Sequence, residues 1–275
     1  MRFFIVNANA RVVHALTTCL EEVSPWIRPV QAHAFHGSLN TFLKSYNLPG
    51  ASALVSPANS LSYMGGGFDR AILEVLAGPG RDYKTMEKAI QAHTARQYRG
   101  YLPCGTVHKI DLVDVCGAKS DLVAQDAHAT TSSASQITTL LQAPTMVAPG
   151  PTSGQYVFDC IWNVLVAAEG EENVILPVFG AGYGGLDASV VARIMAGALG
   201  LFYAPLSPLE RAAAVLIFLQ KDYHQFGLAS DIGEIEAHLS DEGKNFFPSS
   251  VPWPTPWPDV VRCVKMLQVD RPLLK

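Results

Sequence analysis

Residues 54–69 read LVSPANSLSYMGGGFD, an apolar run followed by three consecutive glycines between two polar side chains. Ala51–Val55 is short, continuous and apolar, which is typical of a buried strand, and a helix can begin at Phe68. Glycine lets the backbone approach a ligand closely and direct several N–H groups at one anion. The stretch therefore predicts a strand–loop–helix unit that binds phosphate, because the positive end of the helix adds to the attraction.

A second glycine cluster, GAGYGG at residues 180–185, lies between a strand predicted at Asn173–Phe179 and a helix predicted at Leu186–Leu201. Ligands of open α/β sheets bind at the carboxyl ends of the strands, and two such loops facing each other suit a diphosphate. The second cluster alone is weak evidence, because isolated glycines usually mark tight turns. It is no P-loop, since no Gly-Lys-Ser/Thr follows, and it lies too late for a dinucleotide fingerprint.

Strands alternate with helices along the chain, which predicts an α/β fold with helices on both faces of the sheet. Other strands are predicted at Phe3–Val6, Val30–Phe35, Thr106–Val115 and Ile137–Leu141, and other helices at Val12–Val23, Phe68–Leu76, Asp82–Tyr98 and Tyr156–Glu169. Arg211–Leu219 is apolar and fits either a strand or a helix. Residues 117–136 are small and polar, which indicates an inserted loop.

Composition limits the function classes. With 275 residues, 49% of them apolar and 16% charged, the chain is a well-packed globular protein. A net charge of −4 gives no general attraction to nucleic acid or to an anionic membrane. Five cysteines without a C-x-x-C pair favour free thiols. No apolar run reaches the roughly 18 residues that span a bilayer, so we expect a cytoplasmic protein, with the nucleus as a second location.

The segment PSSVPWPTPWPD at residues 248–259 is rich in proline. Prolines at this density predict extended polyproline structure in place of helix or sheet. We expect this segment to pack across its own domain, docked by Trp253 and Trp257. The alternative is that it recruits a partner.

The two glycine clusters together resemble those of the macrodomain, the ADP-ribose-binding α/β/α module. Family members often carry N-A-A-N or S-P-A-N, then a glycine run and an Asp, as Val55–Ser60 and Met64–Asp69 do here. The segment PVFGAGYGGLD at residues 177–187 is similar to the family's second phosphate loop, in the form of its phage, bacterial and fungal branch. Leu141–Pro144 is similar to the strand that ends in the family's H-x-x-G-P.

The resemblance implies a three-layer α/β/α fold with a mixed, mostly parallel central sheet. We expect a single macrodomain-like domain over residues 1–275, with a motif-bearing core at about 1–205. An insert would lie within residues 74–136, and residues 206–275 would form a C-terminal extension that ends in the Pro-rich tail.

The resemblance also implies a site for ADP-ribose or a derivative. Asn59 would bond a hydroxyl of the distal ribose and Asp69 would lie beside its anomeric carbon, and these two are the catalytic candidates. Backbone amides of the glycine clusters would hold the diphosphate, and Tyr183 would cover the ligand. The implied ligand-binding residues are Ser38, Leu39, Ala58, Gly65, Gly66, Gly67, Phe68, Pro144, Gly180, Ala181, Gly182, Tyr183 and Gly184. No metal or cofactor is expected.

Three departures from the family pattern bear on the ligand. Ser38 stands where most members carry an Asp that binds the adenine amine, so adenine selectivity is weaker or comes from elsewhere. Arg70 replaces the glycine that follows the Asp, and it can crowd or bind a terminal phosphate. The second cluster lacks the Ser-Thr-Gly of many binders.

Two function classes stay open. In a hydrolase, Asp69 would activate water to release ADP-ribose from a modified side chain or from O-acetyl-ADP-ribose, or to remove phosphate from ADP-ribose 1″-phosphate. In a reader, the same residues would only bind ADP-ribose or an ADP-ribosylated protein. A degenerate domain is disfavoured by the intact Asn59 and Asp69.

The other polar candidates have structural interpretations. His33 and His36 are three apart on a predicted strand, so they face opposite sides and are poor joint metal ligands. Cys104 and Cys160 lack a His-Asn context and fit small buried residues. Asp187 is expected to cap the helix that follows it.

Overall fold

The computed structural model describes residues 1–28, 30–78, 80–116, 136–225 and 227–265. The insert predicted at 117–136 therefore lies outside the described residues except for its last position. The strands are β1 (Arg2–Asn7), β2 (Gln31–His36), β3 (Ala51–Ser56), β4 (His108–Asp111), β5 (Gln136–Gln142) and β6 (Asn173–Pro177).

The helices divide into those before β5 and those after it. The first set is α1 (Ala10–Val23), α2 (Leu39–Ser45), α3 (Gly67–Ala77), α4 (Tyr83–Tyr98) and α5 (Leu112–Cys116). The second set is α6 (Gly154–Ala167), α7 (Ala188–Tyr203), α8 (Pro208–Phe218), α9 (Ala229–Ala237), α10 (Asp241–Lys244) and α11 (Trp257–Cys263). Among the helices of the described ranges, none has the length and apolar character needed to cross a membrane.

The six strands form one sheet in the order β2-β1-β6-β3-β5-β4. Every neighbouring pair is parallel except β4 and β5, which are antiparallel. The predicted α/β fold with a mixed, mostly parallel sheet is thus confirmed. Because β3 and β6 are hydrogen-bonded neighbours, the loops that leave their carboxyl ends start side by side.

Successive residues of a strand point to opposite faces, and this alternation divides the core. Phe3 and Ile5 of β1 belong to the cluster beneath α1, α6 and α7. Phe4 and Val6 belong to the cluster beneath α2, α3 and α4. The molecule therefore has three layers, with helices on both faces of the sheet.

The structure corrects one sequence-based assignment, at β4, and resolves another, at α8. The segment predicted as one strand, Thr106–Val115, is β4 followed by α5, because the Asp111 carboxylate accepts a hydrogen bond from the Val113 amide and starts a helical turn. The segment left open as strand or helix is α8. Its first turn is fixed by a capping box between Ser207 and Glu210.

The prediction that the Pro-rich segment 248–259 is extended was wrong at both of its ends. Residues 248–250 form a 3-10 turn and α11 begins at Trp257. Proline is tolerated in the first turn of a helix, since the missing N–H would have no partner there. Trp253 and Trp257 dock the tail as expected. Trp253 lies over Gly154, and a Cβ on Gly200 would be 2.7 Å from the Trp257 ring.

Candidate functional site

A cleft of about 840 Å³ opens at the carboxyl ends of β1, β3 and β6. Two loops form its walls: the first loop, residues 57–66, between β3 and α3, and the second loop, residues 178–187, between β6 and α7. Most of the residues predicted from the sequence line this cleft, namely Ser38, Leu39, Asn59, Gly65, Gly66, Gly67, Phe68, Asp69, Gly180, Gly182, Tyr183 and Gly184.

Asn59 organises the first loop. Its Oδ1 accepts hydrogen bonds from the amides of Leu61 at 3.0 Å and Tyr63 at 3.3 Å, and its Nδ2 donates to the Tyr63 carbonyl at 2.6 Å. The side chain thus closes a tight turn of the kind that Asn favours. One Nδ2 proton is left for the predicted bond to a ribose hydroxyl.

A buried polar network fixes the same loop from behind. Ser62 has a φ of 57° and lies within hydrogen-bond distance of Thr94 on α4 and Gln142 on β5. Thr94 in turn donates to Gln142. A left-handed non-glycine residue is uncommon, and here the three-residue network holds it in place.

The glycines of the first loop lead directly into α3. Gly66 is the N-cap residue, and Gly67 has a φ of +57°, the left-handed region that favours glycine. Within the described chain, the amides of residues 65–69 donate to no backbone carbonyl. They therefore present a row of unpaired N–H groups at the positive end of an 11-residue helix, which is an arrangement suited to phosphate.

Asp69 lies in the first turn of α3 and lines the cleft while remaining only 8% exposed. The hydroxyl of Ser56, at the end of β3, donates to its Oδ1 at 2.6 Å. Burial raises the pKa of this carboxyl to about 7; the Ser56 hydrogen bond opposes the rise and the charge of Glu87 adds to it. A carboxyl that titrates near neutral pH suits general acid–base chemistry.

Glu87, on α4, is a cleft residue that the sequence analysis missed. Its Oε1 accepts a hydrogen bond from the Met64 amide at 2.6 Å. No motif joins Glu87 to the first loop, because 23 positions and a helix boundary separate it from Met64. Only the packing of α4 against α3 reveals the contact.

The second loop is shaped by close packing. Gly180 has a φ of +74°, and a Cβ there would be 2.9 Å from Leu186 and 3.0 Å from Val157. A Cβ on Gly184 would be 2.7 Å from both the Gly180 carbonyl oxygen and Thr152. In contrast, a Cβ on Gly182 would meet nothing within 4 Å. The loop is therefore closely packed at Gly180 and Gly184 and open at Gly182.

Tyr183 joins the two walls of the cleft. It is 70% exposed, and a Cβ on Gly66 would lie 3.5 Å from its hydroxyl oxygen. The ring therefore reaches from the second loop to the glycines of the first. This is the position required of a side chain that covers a ligand in the cleft.

Comparison with known protein families agrees with this geometry. A family model described as a macro-like domain matches residues 8–243. The chain belongs to the macro-like domain family. This membership supports a general role as a module that binds ADP-ribose-type ligands. The match extends past residue 205, where the motif-bearing core was expected to end, through α8 and α9 and into α10.

At the opposite end of the macro-like domain's cleft, Ser38 is the N-cap of α2. Its hydroxyl accepts from the Thr41 amide at 3.1 Å and lies 2.9 Å from the Thr41 hydroxyl. Asn7 also lines this end, and its Oδ1 accepts from the Asn9 amide at 2.8 Å. Both side chains thus form hydrogen bonds within their own turns, and those bonds use acceptor sites that a ligand could otherwise contact.

Three predicted ligand-binding residues lie behind the cleft wall. Ala58 is fully buried and its carbonyl accepts from the Thr145 amide. The Pro144 carbonyl accepts from the Gly105 amide, and Ala181 packs against the core beneath α6 and α7. Their contribution is to hold neighbouring residues in position.

Arg70 points toward the rim of the cleft. Its Nε donates to Glu74 at 2.9 Å, and its guanidinium carbon lies 5.0 Å from the centre of the Tyr83 ring. Because Tyr83 lines the cleft, Arg70 belongs to its outer edge. Arg70 and Glu74 are both exposed, and the negative charge of Glu74 offsets the positive charge that Arg70 would offer to a terminal phosphate.

The remaining candidates have local roles. Asp187 caps α7 as predicted, accepting from the Ser189 amide at 2.8 Å. His33 stacks on Phe4, and the Nε2 of His36 lies 3.1 Å from the Ala8 carbonyl oxygen. Cys160 is fully buried and burial raises the pKa of its thiol, which makes it unreactive.

Proposed function

We propose that this macro-like domain binds an ADP-ribose derivative in the cleft and hydrolyses it at the distal ribose, with Asp69 as general base. One observation carries the proposal: a buried carboxyl with a pKa of about 7 lines the cleft between two glycine loops. Core aspartates are rarely buried without a charged partner, and a perturbed carboxyl in a cleft is a candidate for catalysis.

Binding would use the backbone. The unpaired amides of residues 65–69 and the open centre of the second loop at Gly182 support a diphosphate held between the loops. This arrangement needs no net positive charge on the protein, in keeping with a net charge of −4. Tyr183 would then lie over the bound ligand.

Catalysis would use Asp69 in its ionised form. The carboxylate takes a proton from a water molecule that attacks the anomeric carbon of an ADP-ribosylated side chain, or the acetyl carbonyl carbon of O-acetyl-ADP-ribose. The bond to the leaving group then breaks with its electron pair on that group. The substrates we favour are O-acetyl-ADP-ribose and ADP-ribosylated side chains. Removal of phosphate from ADP-ribose 1″-phosphate is the second candidate reaction, supported by Lys84, a cation that lines the cleft.

A reader without catalysis is the alternative, and one observation favours it. The Asn59 amide spends its oxygen and one proton on the turn at residues 59–63, which weakens its hold on a reacting ribose. As a reader, the protein would take an ADP-ribosylated protein as its partner. The free thiols at Cys19, Cys104, Cys160 and Cys263 support a reducing location, and we propose the cytoplasm or the nucleus.

The test begins with calorimetric titration of ADP-ribose, with AMP as control. We expect ADP-ribose to bind at least tenfold more tightly, because AMP cannot fill both loops. Turnover of O-acetyl-ADP-ribose and of ADP-ribose 1″-phosphate is then compared between wild type and Asp69→Ala. Loss of a general base lowers the rate by roughly 10²–10⁴. Tight binding of ADP-ribose with no turnover of either compound would support the non-catalytic reader and refute the hydrolase. Equal binding of AMP and ADP-ribose would refute both functions.

A further inference from the structure

Glu87 occupies a position that binding alone does not require. It projects from α4 into the cleft, where its Oε1 accepts a hydrogen bond from the Met64 amide at 2.6 Å. The same oxygen lies 4.0 Å from where a Cβ on Gly65 would be. The carboxylate therefore lies against the start of the glycine run.

Asp69 and Glu87 come from two helices that pack on each other. Asp69 lies in the first turn of α3 and Glu87 in the second turn of α4, and both line the cleft. Two carboxylates in one corner repel each other unless one is protonated. A corner built only to bind a phosphorylated nucleotide would gain nothing from this repulsion.

We propose that Glu87 is a positioning residue for the reaction at Asp69, acting through the Met64 amide and through its own negative charge. The inference rests on the proposed function. The hydrogen bond fixes where the glycine loop presents its amides. The charge favours the protonated form of Asp69 in the resting cleft, so that Asp69 exchanges its proton near neutral pH.

The electrostatic surroundings are consistent with this role. Burial is the largest cause of the raised pKa of Asp69, and Glu87 is the charged group that raises it further. The other titratable or charged residues that line the described cleft are Tyr63 on the first loop, Tyr83 and Lys84 on α4, and Tyr183 on the second loop. On α3 itself, Arg70 is paired with Glu74.

The experiment compares Glu87→Gln, Glu87→Ala and a control, Glu21→Gln. Glutamine keeps an oxygen that can accept from the Met64 amide and removes the charge, whereas alanine removes both. Glu21 is an exposed residue of α1, on the other face of the sheet, so its substitution changes the net charge equally. Each variant is titrated with ADP-ribose, and kcat/KM is measured from pH 5 to pH 9.

We expect Glu87→Gln to retain ADP-ribose affinity within about threefold and to move the rising limb of the pH profile to lower pH. Glu87→Ala should lose about tenfold or more in affinity, because an amide of the loop loses its charged acceptor. Glu21→Gln should match wild type in both. A pH profile that is identical in wild type and Glu87→Gln would overturn the inference.

A direct titration separates this failure from failure of the proposed function. The Asp69 carboxyl is followed by carbon NMR, assigned with Asp69→Asn, in wild type and in Glu87→Gln. If wild type shows no turnover, the proposed function fails. The Glu87 inference then falls as well if Asp69 titrates at the same pH in both proteins, and it is supported for the resting site if Asp69 titrates lower in Glu87→Gln.

Discussion

The two loops of the cleft have similar composition and are built on different principles. In the first, side chains hold the backbone: Asn59 closes the turn and Glu87 anchors the Met64 amide. A Cβ on any of the glycines that follow would meet no atom closer than 3.5 Å. In the second, Gly180 and Gly184 are closed in by neighbouring atoms, whereas Gly182 and Gly185 face open space. A glycine run can therefore reflect either ligand access or tight packing.

This difference implies that substitutions in the two loops should have different effects. Asp69 on α3 and Glu87 on α4 lie beside the first loop and the unpaired amides at the start of α3, so changes there should alter binding and chemistry. The second loop is closely packed at Gly180 and Gly184, so changes at these two positions should alter stability. The following three predictions test that difference.

The largest expected effect is on the stability of the second loop. Gly184→Ala places a Cβ 2.7 Å from the Gly180 carbonyl oxygen, and backbone must move to relieve the clash. We expect a loss of about 3 kcal/mol in the free energy of unfolding, measured by urea denaturation, together with weaker ADP-ribose binding. Gly233→Ala on α9, where a Cβ meets nothing, is the control and should not destabilise. Equal stability of the two variants would contradict the packing argument.

Gly182→Val tests the open centre of the same loop. A Cβ at this position meets nothing within 4 Å and the residue lines the cleft, so the valine side chain should occupy the path of the diphosphate. We expect about a 100-fold loss of ADP-ribose affinity, equivalent to about 2.7 kcal/mol, with the free energy of unfolding unchanged within about 0.5 kcal/mol. If the variant binds ADP-ribose normally, the diphosphate does not pass this residue.

Asp69→Asn tests how much the buried carboxyl beside the first loop lowers the free energy of unfolding. The pKa of Asp69 is about 7 in the folded protein against an ordinary value of 3.8, so wild type loses stability as pH rises from about 4 to 7 and no further above that. Full linkage over this range is about 4 kcal/mol, and relaxation around the charge reduces it. We expect the variant to be about 2 kcal/mol more stable than wild type at pH 8.

The difference between the two proteins should shrink as pH falls, because both side chains are neutral below about pH 4. Urea denaturation of both proteins at pH 5 and pH 8 measures this trend. The variant should also lose turnover. A pH-independent stability difference would show that Asp69 is not the buried titrating group described above.

The sequence predicted the parts of this molecule that rest on local rules. The strand–loop–helix units around residues 54–69 and 180–185 follow from apolar runs and glycines, and their convergence follows from strand order in a mostly parallel sheet. The sequence did not reveal Glu87, since its contact with Met64 depends on how α4 packs against α3. It also did not reveal that the Asn59 amide is engaged within its own turn, since a side chain's partners depend on the folded loop.

The tail shows a second limit of local rules. Proline density predicted an extended segment, but α11 begins at Trp257 because prolines are tolerated in a first helical turn. The expectation that Trp253 and Trp257 dock the tail was confirmed, since both rings fill space above glycines of the core. Packing, which the sequence expresses only through large apolar residues, decided the outcome.

The contact between Trp26 and Trp257, with ring centres 6.1 Å apart, has a consequence for how the protein is made. A ribosome synthesises Trp26 more than two hundred residues before Trp257, and the core beneath α1 also includes Val260 and Val264. Helix α7, which is synthesised earlier, can cover most of the apolar face of α1. The part of Trp26 that Trp257 covers stays open to solvent, or to a chaperone, until α11 emerges.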